Sequence, residues 1–187
     1  MKKCLILFIV VLATSFGCRK ENDYVVLDVN SSQVQQSRLK SSVVWDNLTQ
    51  SQKDDQIINT ANLDNGKNVG IQCKPWVQKV VALASSNHVA VPTTKTNGYE
   101  WNNDPYGHVL GRSTMIENVR RADIVQMYVY TKLYSGPHTA IVVSKDANGI
   151  NWMDSNWIAT NTVGIHYMTF AEFYSVTHSK YTVYHVQ

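Results

Sequence analysis

The sequence predicts an α+β fold, with helices first and an antiparallel sheet after them, on three observations. Apolar residues recur at helical spacing through the first half of the chain. From Ala122 onward they give way to short runs of β-branched and aromatic residues separated by turn formers. One of those turns, Asp146-Ala147-Asn148-Gly149, carries the Asn-Gly pair of a tight hairpin. Helices followed by strands, rather than alternating with them, point to helices packed on an antiparallel sheet.

The chain begins with Lys2 and Lys3, an apolar run from Leu5 to Ala13, and Thr14-Ser15-Phe16-Gly17-Cys18. A permanent membrane helix needs about 20 apolar residues, so this shorter run ending in small residues before a cysteine reads as a lipoprotein signal. Residues 1–17 are the expected signal peptide. Cys18 is the expected lipid attachment point, which would anchor an exported protein to a bacterial envelope membrane. Residues 18–32 form a polar tether. Residues 33–62 are a helical segment in which Val34, Leu39, Val43, Val44, Leu48, Ile57 and Ile58 carry the apolar period, and Thr49 with Gln52 forms a helix cap. Residues 63–187 make up the main domain.

That domain opens with the loop signal Asp64-Asn65-Gly66-Lys67-Asn68. Beyond it, Trp76, Val77, Val80, Val81 and Ala84 share one helical face, and Pro75 is tolerated only in a first turn. Cys73 is thereby expected at the N-terminal end of a buried helix. The stretch from Asn87 to Arg112 reads as a long loop, and its Tyr99, Trp101 and Tyr106 are candidate substrate-binding residues, since aromatics offer large contact area at small entropic cost. Strands are expected at 124–132, 138–144, 150–154, 164–168 and 181–186, with a short helix near 169–175.

Net charge is +3 for the full chain, and losing Lys2 and Lys3 with the signal leaves it near neutral. A nucleic-acid binder needs a basic surplus to neutralise phosphates, so that class is excluded, and a monomeric protein with a neutral or mixed-charge substrate is expected. Of the three cysteines, Cys4 leaves with the signal and Cys18 takes lipid, so Cys73 has no partner for a disulfide. A lone thiol in an oxidising compartment must be buried or used.

Thiol chemistry requires a thiolate, which a helix N-terminus favours and an adjacent imidazole favours more. Among six histidines, His138 stands at the entry of the core strand Thr139-Ala140-Ile141-Val142-Val143, where it is rigid yet reachable. His88 and His108 fall in the long loop, His178 in a turn, and His166 and His185 in late strands. A base needs an acceptor on its second nitrogen. Asp154 and Asn156, two apart on the strand that the Asn148-Gly149 hairpin folds back beside His138, both qualify, because alternate residues of a strand share a face. No histidine spacing along the chain suggests a zinc site, and no metal or other cofactor is expected.

These residues, Gly70-Ile71-Gln72-Cys73 with Trp76, Ala122-Asp123-Ile124-Val125, Gly136-Pro137-His138-Thr139-Ala140-Ile141-Val142 and Met153-Asp154-Ser155-Asn156-Trp157, together resemble the CHAP amidases and endopeptidases among the NlpC-type, papain-like cysteine peptidases. The resemblance spans roughly residues 63 to 187. It implies a papain-like fold with Cys73 as nucleophile, His138 as base, Asp154 or Asn156 as the orienting group, and Gln72 with the Cys73 N–H as an oxyanion site. It also implies a peptidoglycan or peptide substrate cleaved through an acyl-enzyme. The chain departs from the family pattern in that Ile71 separates Gly70 from Gln72, Ala122 replaces a glycine before Asp123, Pro137 replaces one before His138, and Asp154 replaces a glutamate. The alternatives are a non-catalytic envelope module that binds cell-wall peptide or a protein partner, and an enzyme of the same fold acting on peptides of host or competitor origin.

Overall fold

The computed structural model describes residues 44–89, 108–112, 114–132 and 134–187. Tyr99, Trp101, Tyr106 and Cys18 lie outside these residues, as do the segments expected to be signal peptide and tether. The elements are α1 (Gln50–Asn62), α2 (Cys73–Ala84), β1 (Val109–Arg112), β2 (Ile124–Tyr130), β3 (Ser135–Lys145), β4 (Gly149–Ser155), β5 (Val163–Thr169), α3 (Phe170–Thr177) and β6 (Tyr181–Val186). The fold is α+β: a six-stranded antiparallel sheet in the order β1-β6-β2-β3-β4-β5, with helices on both faces.

Helix α1 begins where the sequence places its cap. The Thr49 side chain accepts from the Gln52 N–H, and the Thr49 N–H donates to Gln52 Oε1 at 2.8 Å, so two of the unsatisfied donors of the first turn are covered. Ile57, Ile58 and Ala61 of α1 share one buried core with Trp76, Val77, Val80 and Val81 of α2 and with Ile124, Ile141 and Met153 of the sheet. Residues 44–62 are therefore built into the same core as the segment read over 63–187. Trp45 adds a tie to the far terminus by donating to the Gln187 carbonyl at 3.3 Å. On the opposite face, Val125, Met127, Ala140, Val142, Ile150 and Trp152 pack with Phe173 of α3.

The expected loop from Asn87 to Arg112 is interrupted at its end by β1, which pairs antiparallel with β6 from Val109↔Val186 to Arg112↔Val183. The sequence hides this strand because it is four residues long, contains Gly111, and takes its partner from the far end of the chain rather than from a neighbouring hairpin. The β3–β4 hairpin forms at the expected turn, where Asp146 Oδ1 accepts from the N–H groups of Asn148 and Gly149. Its register shifts by one residue between Val142 and Ser144, leaving Val143 as a β-bulge.

Helix α2 is held by Trp76, which is fully buried and whose indole N–H donates to Asp64 Oδ2 at 3.1 Å. Trp76 sits three residues after Cys73 and so lies on the same helix face. Trp76→Ala should destabilise the protein by about 3–5 kcal/mol, the usual cost of emptying a buried aromatic site. Urea unfolding monitored by circular dichroism measures this, with the midpoint expected to fall at unchanged slope.

Candidate active site

Cys73 opens α2, with Gln72 as an exposed N-cap residue whose side chain makes no cap hydrogen bond. The backbone N–H of Cys73 is thus one of the three at this helix end that no helical carbonyl can satisfy, Pro75 having none. Cys73 is buried, with 8% of the residue exposed.

The loop that carries Cys73 is stitched to the turn after β4. Gly66 N–H donates to Val163 O, Val163 N–H to Lys67 O, and Val69 N–H to Asn161 O, at 2.8–3.0 Å. The buried Ser155 hydroxyl, at the end of β4, donates to Ile71 O at 2.7 Å, two residues before the thiol. Gly70 allows the chain to turn into the helix at φ 71°, where a side chain would be strained. These contacts fix Cys73 relative to the end of β4, which is where Asp154 lies.

The ladder between β3 and β4 is paired as far as Ile141↔Met153. Past that point the Thr139 N–H donates to the Cys73 sulfur, and the His138 ring hydrogen-bonds the same thiol. His138 Nε2 lies 3.3 Å from Asp154 Oδ2, so Nδ1 is the nitrogen left for Cys73. Both side chains are buried, at 5% and 0% exposure. Trp157 packs with its ring centroid 5.3 Å from that of His138, and its backbone N–H donates to Asp154 Oδ1 at 3.1 Å. An indole against the imidazole keeps water from competing for its carboxylate contact.

The electrostatics follow from this packing. Burial alone would push the Cys73 thiol up, but the His138 charge, the hydrogen bond with that ring and the Thr139 N–H outweigh burial and the nearby Asp154, and hold the thiol below its ordinary value. His138, despite burial, is pushed up to about 10 by the Cys73 charge and by its pairing with Asp154. Asp154 is held low against its own burial, first by the His138 charge and then by contacts to His138 and His166. Thiolate, imidazolium and carboxylate form one charged row, ready for nucleophilic attack by sulfur and proton return by the ring.

Two sequence expectations need correction. Asn156 does not reach the imidazole: it lies beyond the end of β4 at φ 89°, so strand alternation no longer applies, and its side-chain oxygen accepts from the Asn161 N–H. Its work is to shape the turn that docks the Cys73 loop. His166, set aside as a late-strand residue, lies with Nε2 3.5 Å from Asp154 Oδ2. It stands opposite Trp152 on β5 and shares a face with Asp154. Counting register into β5 would have found it, but the turn from 156 to 162 carries no signature that sets its length. The candidate substrate residues Tyr99, Trp101 and Tyr106 fall outside the described residues.

No protein-family model matches the chain, and no curated protein matches it. Among solved structures the chain is similar to "The crystal structure of Ly7917", with TM-score 0.53 and 13% identity over 70% of this chain. The chain spans 61% of the Ly7917 chain. A second structure, "The crystal structure of Ly7917 with the hydrolyzing product of MDP", aligns with TM-score 0.53 at 12% identity, covering 70% of this chain and 62% of that one. At this identity the likeness is one of fold.

A thiolate held by His138 should alkylate quickly at neutral pH, with a rate nearly flat from pH 7 to 9. His138→Ala should slow labelling by iodoacetamide at pH 7 by about 10- to 100-fold, as the thiol returns to the few per cent ionisation of an ordinary cysteine. Asn156→Ala should leave the labelling rate unchanged while lowering the unfolding midpoint through the lost turn contact. Mass spectrometry of the tryptic peptide containing Cys73 reads both.

Proposed function

We propose that the protein is a cysteine amidase or endopeptidase of the papain-like CHAP/NlpC kind, tethered to the bacterial envelope through lipid at Cys18 and cleaving amide bonds of peptidoglycan or of peptides. One observation carries this reading: a thiol at a helix N-terminus touches an imidazole whose other nitrogen meets a buried carboxylate. The sulfur attacks the scissile carbonyl, and the resulting oxyanion is received by the Cys73 N–H with Gln72 beside it. The His138 proton passes to the leaving amine, and Asp154 holds the ring and stabilises its charged form. Water then takes up the acyl group, with His138 as base.

Two further features support the family reading. Ala122, where the CHAP pattern usually has glycine, sits at φ 64°, a left-handed position that a glycine fills without strain. The chain order of thiol helix, His138 strand and Asp154 strand on an antiparallel sheet agrees with the resemblance in fold to Ly7917, one of whose structures is described with a hydrolysis product. Substrate class rests on the family resemblance and on the envelope location that the N-terminal residues suggest.

Incubation of the protein with purified peptidoglycan should release fragments that carry new amino and carboxyl ends, identified by mass spectrometry. Cys73→Ala and His138→Ala should each abolish release, and their combination should be no worse, because the two act as a unit. Asp154→Ala should lose about 10- to 10⁴-fold, as the ring loses its orientation but not its reactivity. The rate should rise on the acid side as the Cys73 thiolate forms and fall near pH 10 as the His138 proton is lost. A release that survives Cys73→Ala would sink the mechanism.

Anchoring is tested separately. A palmitate analogue fed to expressing cells should label the wild-type chain and leave Cys18→Ala unlabelled.

A further inference from the structure

Three residues that the proposed hydrolysis does not use converge at the opposite end of α2 from Cys73. His88 Nε2 lies 3.1 Å from Asp46 Oδ1, and His108 Nε2 lies 3.9 Å from the same oxygen. One donor atom from each of the three falls within 4.8 Å of the others, and the two imidazoles meet edge to face at 4.4 Å between centroids. We propose that Asp46, His88 and His108 bind a divalent transition metal of the zinc class.

The donor set selects the ion. Two imidazoles with one carboxylate suit zinc and its neighbours, whereas calcium and magnesium take all-oxygen sites. Tetrahedral zinc, with bonds of about 2.0–2.2 Å, spaces neighbouring donors about 3.4 Å apart, so rotation of the exposed Asp46 side chain brings the set to binding distance. The fourth position is left for water.

The site is anchored on all sides. His88 N–H donates to Ser85 O at 2.9 Å just past the end of α2, and the adjoining Val89 N–H donates to Ser85 Oγ at 3.0 Å. His108 O accepts from the Gln187 N–H at 2.8 Å, where β1 meets β6. Asp46 follows the buried Trp45, itself tied to Gln187 O. The C-terminal end of a helix favours a cation. Twelve residues of α2 put about 18 Å between this end and the thiol, so the metal takes no part in the Cys73 chemistry.

The consequence is structural. Positions 88 and 108 are twenty residues apart along the chain, and a bound metal clips them to each other and to Asp46. Because the three donors come together only in the folded chain, binding there stabilises the fold by mass action.

The test is titration of the full-length protein, in mild detergent and carrying Cys4→Ser, Cys18→Ser and Cys73→Ser to remove every thiol, with Zn²⁺ by calorimetry and with Co²⁺ by visible absorption. One Zn²⁺ should bind per chain and raise the thermal midpoint, and Co²⁺ should develop d–d bands without a sulfur charge-transfer band. His88→Gln and His108→Gln should each weaken Zn²⁺ by more than the roughly 10- to 100-fold that loss of an outer-shell partner costs. Asp46→Asn, at an exposed side chain that the fold does not need, should weaken it in the same direction, while His178→Gln should change nothing. The proposal is overturned by an absence of saturable Zn²⁺ binding, by a sulfur band with Co²⁺, or by unchanged affinity in Asp46→Asn.

Discussion

Side chains directly opposite one another in an antiparallel ladder share a face, so a one-residue change of register carries a side chain to the other side of the sheet. Near the hairpin, Lys145 pairs with Ile150 and Ser144 with Asn151; continued unbroken, that register would set Asp154 opposite Ile141, on the face away from His138. The bulge at Val143 intervenes. Beyond it Val142 pairs with Trp152 and Ile141 with Met153, which puts Asp154 on the face of Ala140 and, by alternation, of His138. The contact at 3.3 Å between the imidazole and the carboxylate exists because of that extra residue. His166 reaches Asp154 from the other side through the unbroken β4–β5 ladder, where it stands opposite Trp152 and so shares the face of Asp154.

Burying three ionisable groups together costs desolvation that only good mutual geometry can offset. Here the offset has several sources. Asp154 receives an N–H from Trp157 and meets two imidazoles, and Cys73 receives the Thr139 N–H as well as the ring. The signs of linkage differ among the three. His138, raised to about 10, contributes stability that is complete below its ordinary value and is lost as pH climbs through about 10. Cys73 and Asp154, both lowered, contribute stability that is complete above their ordinary values and is lost as pH falls through their folded ones. The charged row is therefore most favourable at neutral pH. The fold is held by the two apolar layers on either side of the sheet.

Sequence was most informative where local rules act alone. The cap at Thr49, the first-turn Pro75 that puts Cys73 at the head of α2, the Asn148-Gly149 turn and the succession of strand segments after Ala122 all follow from steric or hydrogen-bonding preferences of a few adjacent residues. It was least informative where partners are distant. Strand β1 is short and finds its partner on β6, and the Asp46, His88 and His108 group draws on three segments that no spacing rule connects. Asn156 shows a subtler limit, because its alternation with Asp154 holds only while the strand continues, and the chain leaves the strand at that residue.

By itself the sequence determined which residue types were available for thiol chemistry, the helix end that carries Cys73, and the strands that carry His138 and Asp154. Those depend on periodicity, and periodicity is a local property of the chain. Tertiary structure alone decided which acceptor meets the imidazole, that His166 shares it, and that Asn156 serves the turn instead. The first two depend on register across the sheet, which a single bulged residue changes without leaving a mark in the pattern of the sequence, and the third on where β4 ends.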